Sequence, residues 1–164
     1  MIIRDAVNGD LQAIVEIYND TIPTRLATAD LEPVTAAERA GWLARHSPRR
    51  HPLWVAEMDA EVAGWLGFEP FYGRPAYRHT AEISVYVARS RRRRGVGASL
   101  LEHALRRGPE LGLRTLLGFI FAHNEPSIAL FAGFGFERWG QLPSVAELDG
   151  LERDLLILGR RVTG

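Results

Sequence analysis

The residues that most strongly suggest chemistry lie in one stretch, Arg89 to Leu105, which reads RSRRRRGVGASLLEHAL. Five of its first six residues are arginine, and Gly95 and Gly97 follow them ahead of an amphipathic run. Where a strand turns into a helix, the first backbone N–H groups have no partner within the helix, and the helix dipole adds positive charge. Phosphate oxygens bind well at such a turn. The stretch therefore predicts a pyrophosphate site, in which the glycines permit close approach and the arginines add charge.

The same stretch lacks residues that other phosphate-binding motifs require. A P-loop ends in a lysine followed by serine or threonine, and the chain contains no lysine. A dinucleotide-binding fingerprint needs a third glycine at the position of Leu100. An arginine run alone is more often a solvated surface or a nucleic-acid patch, but a formal net charge of zero argues against nucleic acid as a partner. Phosphate binding and a merely solvated basic face both remain open at this point.

A candidate general base, Glu82, lies in the preceding segment TAEISVYVA, which alternates apolar and polar residues as a strand does. Ile83, Val85 and Val87 are predicted to face one side of the sheet and Glu82 the other. A carboxylate partly removed from water has a raised pKa, which suits a base that works near neutral pH. A strand carboxylate exposed to solvent is an equally good interpretation of this residue by itself.

The composition limits what else the chain can do. Its 164 residues are 46% hydrophobic and 24% charged, which suits a single globular domain spanning residues 1–164. The chain contains no cysteine, which excludes disulfides, thiolate metal sites and a cysteine nucleophile, and no metal is expected. The amino terminus lacks the apolar core of a signal peptide, and no apolar run reaches membrane-spanning length. The prediction is a cytoplasmic protein with no membrane partner.

Periodicity and turn residues predict the elements that must position these residues. The first half of the chain is predicted to contain a strand at residues 2–4, a helix capped by Asn8 and a helix opened by a Thr35–Glu38 capping box. A hairpin of PLWVAEM and EVAGWLGFE follows, turning at Asp59 and Ala60, and then the strand TAEISVYVA. The second half is predicted to contain a helix after Gly95, the strand LRTLLGFIF, a helix starting at Asn124 and ending at Gly133 and Gly135, and the strand RDLLILGRRV. The order βααβββαβαβ predicts a mixed α/β protein built on one central sheet.

Residues Arg92 to Gly97 match the signature (Q/R)-x-x-G-x-(G/A) of GNAT-type N-acetyltransferases, a family that the chain resembles. The segments IYNDTI, FYGRPAY, TAEISVYV, NEPSIALFAGFGFE and DGLERDLLILGRRV are similar to the phosphinothricin acetyltransferase-like branch, in order and over nearly the whole chain. The resemblance implies the GNAT fold, an α/β (α+β) architecture whose mixed central β-sheet is splayed at the cofactor site and flanked by helices on both faces. It also implies acetyl-CoA as co-substrate, direct transfer in a ternary complex, and a homodimer.

The resemblance further implies roles for individual residues. Glu82 takes the position of the family's glutamate base, and the backbone groups of Val85 and Val87 are expected to hold the pantetheine arm and polarise the thioester carbonyl. The residues expected to contact acetyl-CoA are Val85, Tyr86, Val87, Arg92, Arg93, Arg94, Gly95, Val96, Gly97, Ala98 and Asn124. For Asn124, a plain helix N-cap is an equally sound interpretation. Arg89 and Arg91 are predicted only to face water.

The acceptor that the resemblance implies is the primary amine of a small amino-acid-like molecule, of the phosphinothricin, methionine sulfoximine or methionine sulfone type. Arg74, Tyr77 and Thr80 are expected to line its pocket, where the guanidinium would pair with the acceptor's carboxylate. Acetylation of a protein N-terminus or of another amine is one alternative. A non-catalytic sensor that binds acyl-CoA is the other.

Two positions depart from the family pattern. Phe131 stands where close relatives often carry a histidine, and the same helix contains no tyrosine, so the usual proton donor to the leaving thiolate is missing. Glu152 stands where relatives commonly carry tryptophan, whereas Asp154 is retained. These departures leave the exact acceptor and the path of the proton open.

Overall fold

A computed structural model describes residues 1–163 of the chain. Its helices and strands are β1 Ile2–Asp5, α1 Leu11–Asn19, α2 Ala36–Arg45, β2 Leu53–Met58, β3 Glu61–Pro70, β4 Thr80–Val87, α3 Val96–Arg107, β5 Thr115–Phe121, α4 Glu125–Gly133, β6 Glu137–Leu148 and β7 Leu151–Arg161. Among these residues, no helix is long and apolar enough to cross a membrane.

The seven strands found in residues 1–163 form one mixed sheet in the order β1-β2-β3-β4-β5-β7-β6. Neighbouring strands are antiparallel except at the centre, where β4 and β5 are parallel. A parallel pair needs a crossover connection, and α3 provides it by packing across β3 and β4. The turn from β4 into α3 therefore lies beside the centre of the sheet.

Helices pack on both faces of the sheet, as the resemblance implied. On one face, α3 buries an apolar stripe at helical spacing together with Phe131 of α4; the stripe consists of Val96, Leu100, Leu101 and Ala104. On the other face, α1 and α2 bury Ile14, Ile17 and Leu43 against Val55 and Trp65. Removing these side chains from water on both faces is the main force that holds the layers together.

Two local predictions are confirmed in atomic detail. The Thr35 hydroxyl accepts from the Glu38 N–H at 3.2 Å, and the Glu38 carboxylate accepts from the Thr35 N–H at 2.7 Å, so the capping box opens α2. Asp59 and Ala60 turn the β2–β3 hairpin with positive φ values of 54° and 62°. Two successive left-handed residues match the twist that a tight hairpin needs.

The predicted order lacked one strand, β6, and was wrong there. Residues 137–148 form the sheet edge beside β7, and most residues of this strand are exposed. Its register shifts between Arg138 and Gly140 and again between Leu142 and Ala146. An irregular edge strand tolerates Pro143 and needs no apolar alternation, so the usual strand signals are absent from this segment.

The predicted cap of the first helix was also wrong. Asn8 starts a short 3-10 turn, Asn8–Asp10, that leads into α1, and its side chain caps nothing. The carboxylate of Asp10 instead accepts from the Val7 N–H at 2.8 Å and from the Arg4 guanidinium at 2.7 Å. The Arg4 guanidinium also holds the pKa of Asp10 below its usual range.

Candidate active site

The central strands β4 and β5 are paired over only a short length. Residues 80–82 pair with residues 115–117, and in the described part of the chain this pairing ends at Glu82. Strand β4 continues to Val87 while still paired with β3. The two strands therefore part at the centre of the sheet, which confirms the splay, and we call the opening the strand cleft.

The strand cleft leaves backbone groups of β4 free for a ligand. Ala88 donates to the Ala63 carbonyl of β3, which fixes the alternation of the antiparallel pair. By that alternation, residues 82, 84 and 86 exchange hydrogen bonds with β3, whereas residues 83, 85 and 87 direct N–H and C=O toward the cleft. Val85 and Val87 thus direct their backbone groups into the cleft, and their contact with a pantetheine arm stays a prediction. Tyr86 directs its backbone to β3.

The turn from β4 into α3 ends in a cluster of backbone N–H groups. Arg93 and Gly95 adopt left-handed conformations, with φ of 58° and 77°, which turn the chain sharply into the helix. Within residues 1–163, the N–H groups of residues 93–98 donate to no protein acceptor. A Cβ on Gly95 would meet no atom within 4 Å, so approach to these amides is open. This is the geometry of an anion site at a helix N-terminus.

Two glycines let α3 lie close to the sheet and so place this turn. A Cβ on Gly64 of β3 would lie 2.8 Å from the Tyr86 carbonyl oxygen and 2.9 Å from Val96 Cγ1. A Cβ on Gly97 would lie 3.2 Å from Leu130 Cδ2 and 3.5 Å from Val87 Cγ2, so little space is left between α3 and its neighbours here. Gly64 was missed by the sequence analysis because nothing in its hairpin segment marks a close approach to a distant helix.

The arginine run divides into an anchor and a free part. Arg91 pairs with Asp59 at 2.7 Å and with Glu61 at 2.9 Å, and its side chain is only 16% exposed, so the prediction that it merely faces water was wrong. These two ion pairs fasten the turn to the β2–β3 hairpin. The side chains of residues 92–94 are exposed and take part in no ion pair within residues 1–163. Their charge is therefore available in front of the free amides.

Glu82 is the last residue of β4 that pairs with β5, so it lies where the strand cleft begins. Its side chain is half-buried. Burial raises the pKa of the Glu82 carboxyl, and the charge of Glu69, directly opposite on β3, raises it further. Glu82 is thus not a fully exposed strand carboxylate. Glu69 was not singled out from the sequence, because only strand register brings it to Glu82.

A loop between α1 and α2 ties the two sides of the strand cleft together. Three side chains donate to the carbonyl groups of residues 25–27: the hydroxyl of Tyr86 at 3.3 Å, Nε2 of His123 at 2.7 Å and Nδ2 of Asn124 at 3.1 Å. Tyr86 belongs to β4, whereas the other two follow β5. Loop 25–27 and His123 were missed because backbone carbonyls leave no signature in a sequence.

The side chains of Tyr86 and Asn124 both make contacts within the protein. The Tyr86 ring stacks on Trp65 with centroids 4.6 Å apart, and burial raises the pKa of its hydroxyl. The oxygen of Asn124 accepts from the Ser127 N–H at 3.3 Å, which confirms the N-cap interpretation for α4. A contact of either residue with acetyl-CoA stays a prediction.

The three predicted acceptor residues lie around the start of β4. Thr80 is its first residue and shares the strand face of Glu82 by the two-residue period. Arg74 and Tyr77 are exposed on the preceding loop, which contains a short 3-10 turn, Pro75–Tyr77. The Tyr77 ring contacts Phe71 edge-on, with centroids 5.2 Å apart. The loop thus presents aromatic surface and the guanidinium of Arg74 ahead of the candidate base.

The strand cleft, the turn with the free N–H groups and Glu82 all lie within a segment that matches the model of a known protein family. The profile of the acetyltransferase (GNAT) family matches residues 11–136. The chain belongs to the GNAT acetyltransferase family. It is 51% identical over 164 residues, covering 99% of this chain and all of the relative, to YwnH of Bacillus subtilis (strain 168), which is provisionally named a phosphinothricin acetyltransferase.

Two further members of the GNAT family bear on the site. The L-methionine sulfoximine/L-methionine sulfone acetyltransferase of Pseudomonas aeruginosa (strain PAO1) is 34% identical over 95% of this chain and 91% of its own length. The crystal structure of a GNAT superfamily phosphinothricin acetyltransferase from Sinorhizobium meliloti in complex with acetyl-CoA superposes with a TM-score of 0.92 at 31% identity, covering 98% and 87% of the two chains. The splayed sheet is therefore the GNAT fold.

The departures from the GNAT pattern have structural consequences. Phe131 is 4% exposed, and its ring packs so closely on Gly118 that a Cβ added to this glycine would lie 2.6 Å from the ring. Phe131 is therefore part of the core. Glu152 is exposed opposite Glu147 in the β6–β7 hairpin. Asp154 accepts from the Ser144 N–H at 2.8 Å, which fixes the irregular part of β6. Among residues 1–163, no three His, Cys, Asp or Glu side chains are grouped as metal ligands would be.

Proposed function

We propose that this GNAT acetyltransferase moves an acetyl group from acetyl-CoA to the α-amine of a small amino-acid-like acceptor, with Glu82 as general base. The observation that carries the proposal is the position of Glu82, a half-buried carboxylate of raised pKa at the mouth of the strand cleft. Relatives named for methionine sulfoximine, methionine sulfone and phosphinothricin support this class of acceptor.

The residues present fit acetyl-CoA, which would supply an acetyl group activated as a thioester. The free N–H groups of residues 93–98, the open space at Gly95 and the unpaired arginines 92–94 suit a pyrophosphate. The backbone groups of Val85 and Val87 along the strand cleft suit the amides of a pantetheine arm. Asn124 contributes by capping α4 and holding loop 25–27 at this end of the cleft.

The chemistry that the chain's own residues perform is proton transfer and orientation. Glu82 accepts the proton that the acceptor's amine releases, and its raised pKa matches it to this task near neutral pH. An N–H group directed into the strand cleft, such as that of Val85, is available to an oxygen that gains negative charge. The chain has no cysteine to carry an acetyl group, so direct transfer to the amine is the simplest route. The bond from the amine nitrogen to the acetyl carbon would form as the carbon–sulfur bond of the thioester breaks, and the released thiolate would take a proton from water.

The acceptor specificity can be tested by following thiol release from acetyl-CoA against amino acids, sulfoximines, sulfones, polyamines and peptides. We expect turnover with small α-amino acids, and we expect Arg74→Ala to raise their KM about ten-fold because a guanidinium–carboxylate pair is lost. Amines without a carboxylate serve as the control and keep their KM in the variant. Turnover of peptides alone would indicate an N-terminal acetyltransferase, and acetyl-CoA binding without any turnover would indicate a sensor.

We further propose that two copies of the chain pair through the outer edge of β6. This edge strand exposes unusual apolar area: Trp139 is 48% exposed, Leu142 41% and Val145 55%. Light scattering is then expected to give twice the monomer mass, and Leu142→Asp with Val145→Asp to give the monomer. Leu31→Asp, which alters an apolar residue of similar exposure elsewhere, is the matched control and should leave the mass unchanged.

A further inference from the structure

A second carboxylate, that of Glu69, faces the candidate base across the β3–β4 pair. The register places Glu69 directly opposite Glu82. Side chains that are directly opposite in an antiparallel pair lie on the same face, with Cβ atoms roughly 5 Å apart. Two like charges at this distance oppose each other, and such a pair is retained only where other contacts hold it.

Trp42 of α2 holds the Glu69 carboxylate on this face of the sheet, and His46, just after the helix, lies beside it. Trp42 Nε1–H donates to Glu69 Oε1 at 2.9 Å, and His46 Nε2 lies 3.5 Å from the same oxygen. His46 Nδ1 lies 2.9 Å from the Trp42 carbonyl oxygen, so this nitrogen carries a hydrogen and Nε2 is the atom turned toward Glu69. The His46 side chain is only 6% exposed and Nε2 has no hydrogen-bond partner in the described residues.

We propose that Glu69 is a positioning residue for Glu82, held by Trp42 so that its negative charge faces the base across the β3–β4 pair. This inference rests on the proposed function, in which Glu82 accepts the proton of the acceptor amine. Glu69 itself touches neither acceptor nor acetyl-CoA in this role. Its effect is electrostatic: a neighbouring negative charge makes Glu82 hold a proton more tightly and so makes it a stronger base.

Among the charged and titratable groups around the pair, Glu69 is the one whose charge shifts the pKa of Glu82. His46 faces Glu69 from the end of α2, and His51 from the segment before β2, where burial and then Arg50 lower the pKa of His51. On the β5 side, Glu82 is paired with the apolar Leu117. The two causes that raise the pKa of Glu82 are burial, the larger, and the charge of Glu69.

The test is the ratio of kcat/KM at pH 6 to that at pH 8, compared between Glu69→Gln and the unaltered protein. The glutamine keeps a carbonyl oxygen for Trp42 but removes the charge, so Glu82 ionises at lower pH. We expect the ratio to rise about three-fold or more and the KM for acetyl-CoA to stay unchanged. The acceptor's own ionisation is the same in both proteins and cancels from this comparison.

Two further variants distinguish an effect of the Glu69 charge from a purely structural effect of Glu69. Trp42→Phe keeps an aromatic ring but releases Glu69 toward water, so the ratio should rise in the same direction. Glu57→Gln removes a strand carboxylate of similar exposure that pairs with Arg4, and it should leave the ratio unchanged. If Glu69→Gln lowers kcat equally at both pH values, Glu69 is only structural and the proposal is overturned. An unchanged ratio in Trp42→Phe would overturn the anchoring by Trp42.

A measurement without substrates distinguishes this inference from the proposed function. The 13C resonance of the Glu82 side-chain carboxyl, assigned by its loss in Glu82→Gln, is titrated in the unaltered protein and in Glu69→Gln. A lower titration midpoint in Glu69→Gln supports the inference even if no amine is acetylated. An unchanged midpoint overturns it even if the protein proves to be an active acetyltransferase.

Discussion

Replacing Glu82 by glutamine is expected to lower kcat by about 10²- to 10⁴-fold, the usual contribution of a general base. The amide has nearly the shape of the carboxyl group but cannot accept the proton from the acceptor's amine. The KM for acetyl-CoA should change little, because the free N–H groups of residues 93–98 and the arginines before them are untouched. Thiol release with both acetyl-CoA and the acceptor saturating gives kcat directly, and Glu57→Gln is the control for removal of a strand carboxylate.

The pH dependence gives this prediction a second readout. Because burial and Glu69 raise the pKa of Glu82, activity in the unaltered protein is lost as pH falls through that raised value. The residual activity of Glu82→Gln should lack this acidic loss. A kcat within about three-fold of the unaltered protein, or an unchanged pH profile, would contradict the assignment of Glu82 as the base.

Stability measurements test whether unfolding could cause the loss of activity expected in Glu82→Gln. A carboxyl whose pKa is raised in the folded state binds more protons there than in the unfolded chain, so its ionisation lowers the free energy of unfolding as pH rises. Removing that charge should therefore leave the variant at least as stable as the parent at neutral pH. Urea unfolding followed at pH 8 checks this expectation.

The sequence was sufficient for parts of the site whose geometry is local. The strand period places Glu82 opposite the apolar side chains of β4, and Gly95 needs its left-handed backbone within its own turn, so both could be found without a structure. Glu69 and Trp42 could not, because they are 27 residues apart and meet only when α2 packs on β3. The edge strand β6 was not predicted because most of its residues are exposed. A strand shows alternating apolar residues in its sequence only where one of its faces is buried.

Restoring the family's histidine by Phe131→His is expected to lower the free energy of unfolding by about 3 kcal/mol without raising kcat. The Phe131 ring is 4% exposed, lies against the backbone of Gly118 and meets Phe136 edge-on with centroids 4.9 Å apart. An imidazole there would lose aromatic packing and bury ring nitrogens among apolar groups. Urea unfolding at pH 8, with thiol release measured on the same samples, tests both parts.

The pH series sharpens the test of Phe131→His. A histidine buried as the neutral form has a lowered pKa, so below about pH 6.5 the unfolded chain would bind a proton that the folded one refuses, and the loss of stability should grow. Phe131→Leu, which changes volume but adds no polar atom, is the control and should cost only about 1 kcal/mol at every pH. A histidine variant as stable as the parent and faster than it would show that the core around Phe131 can open to the strand cleft. The expected result, a less stable protein with no gain in rate, would instead mean that position 131 serves the core of this acetyltransferase and takes no part in proton transfer.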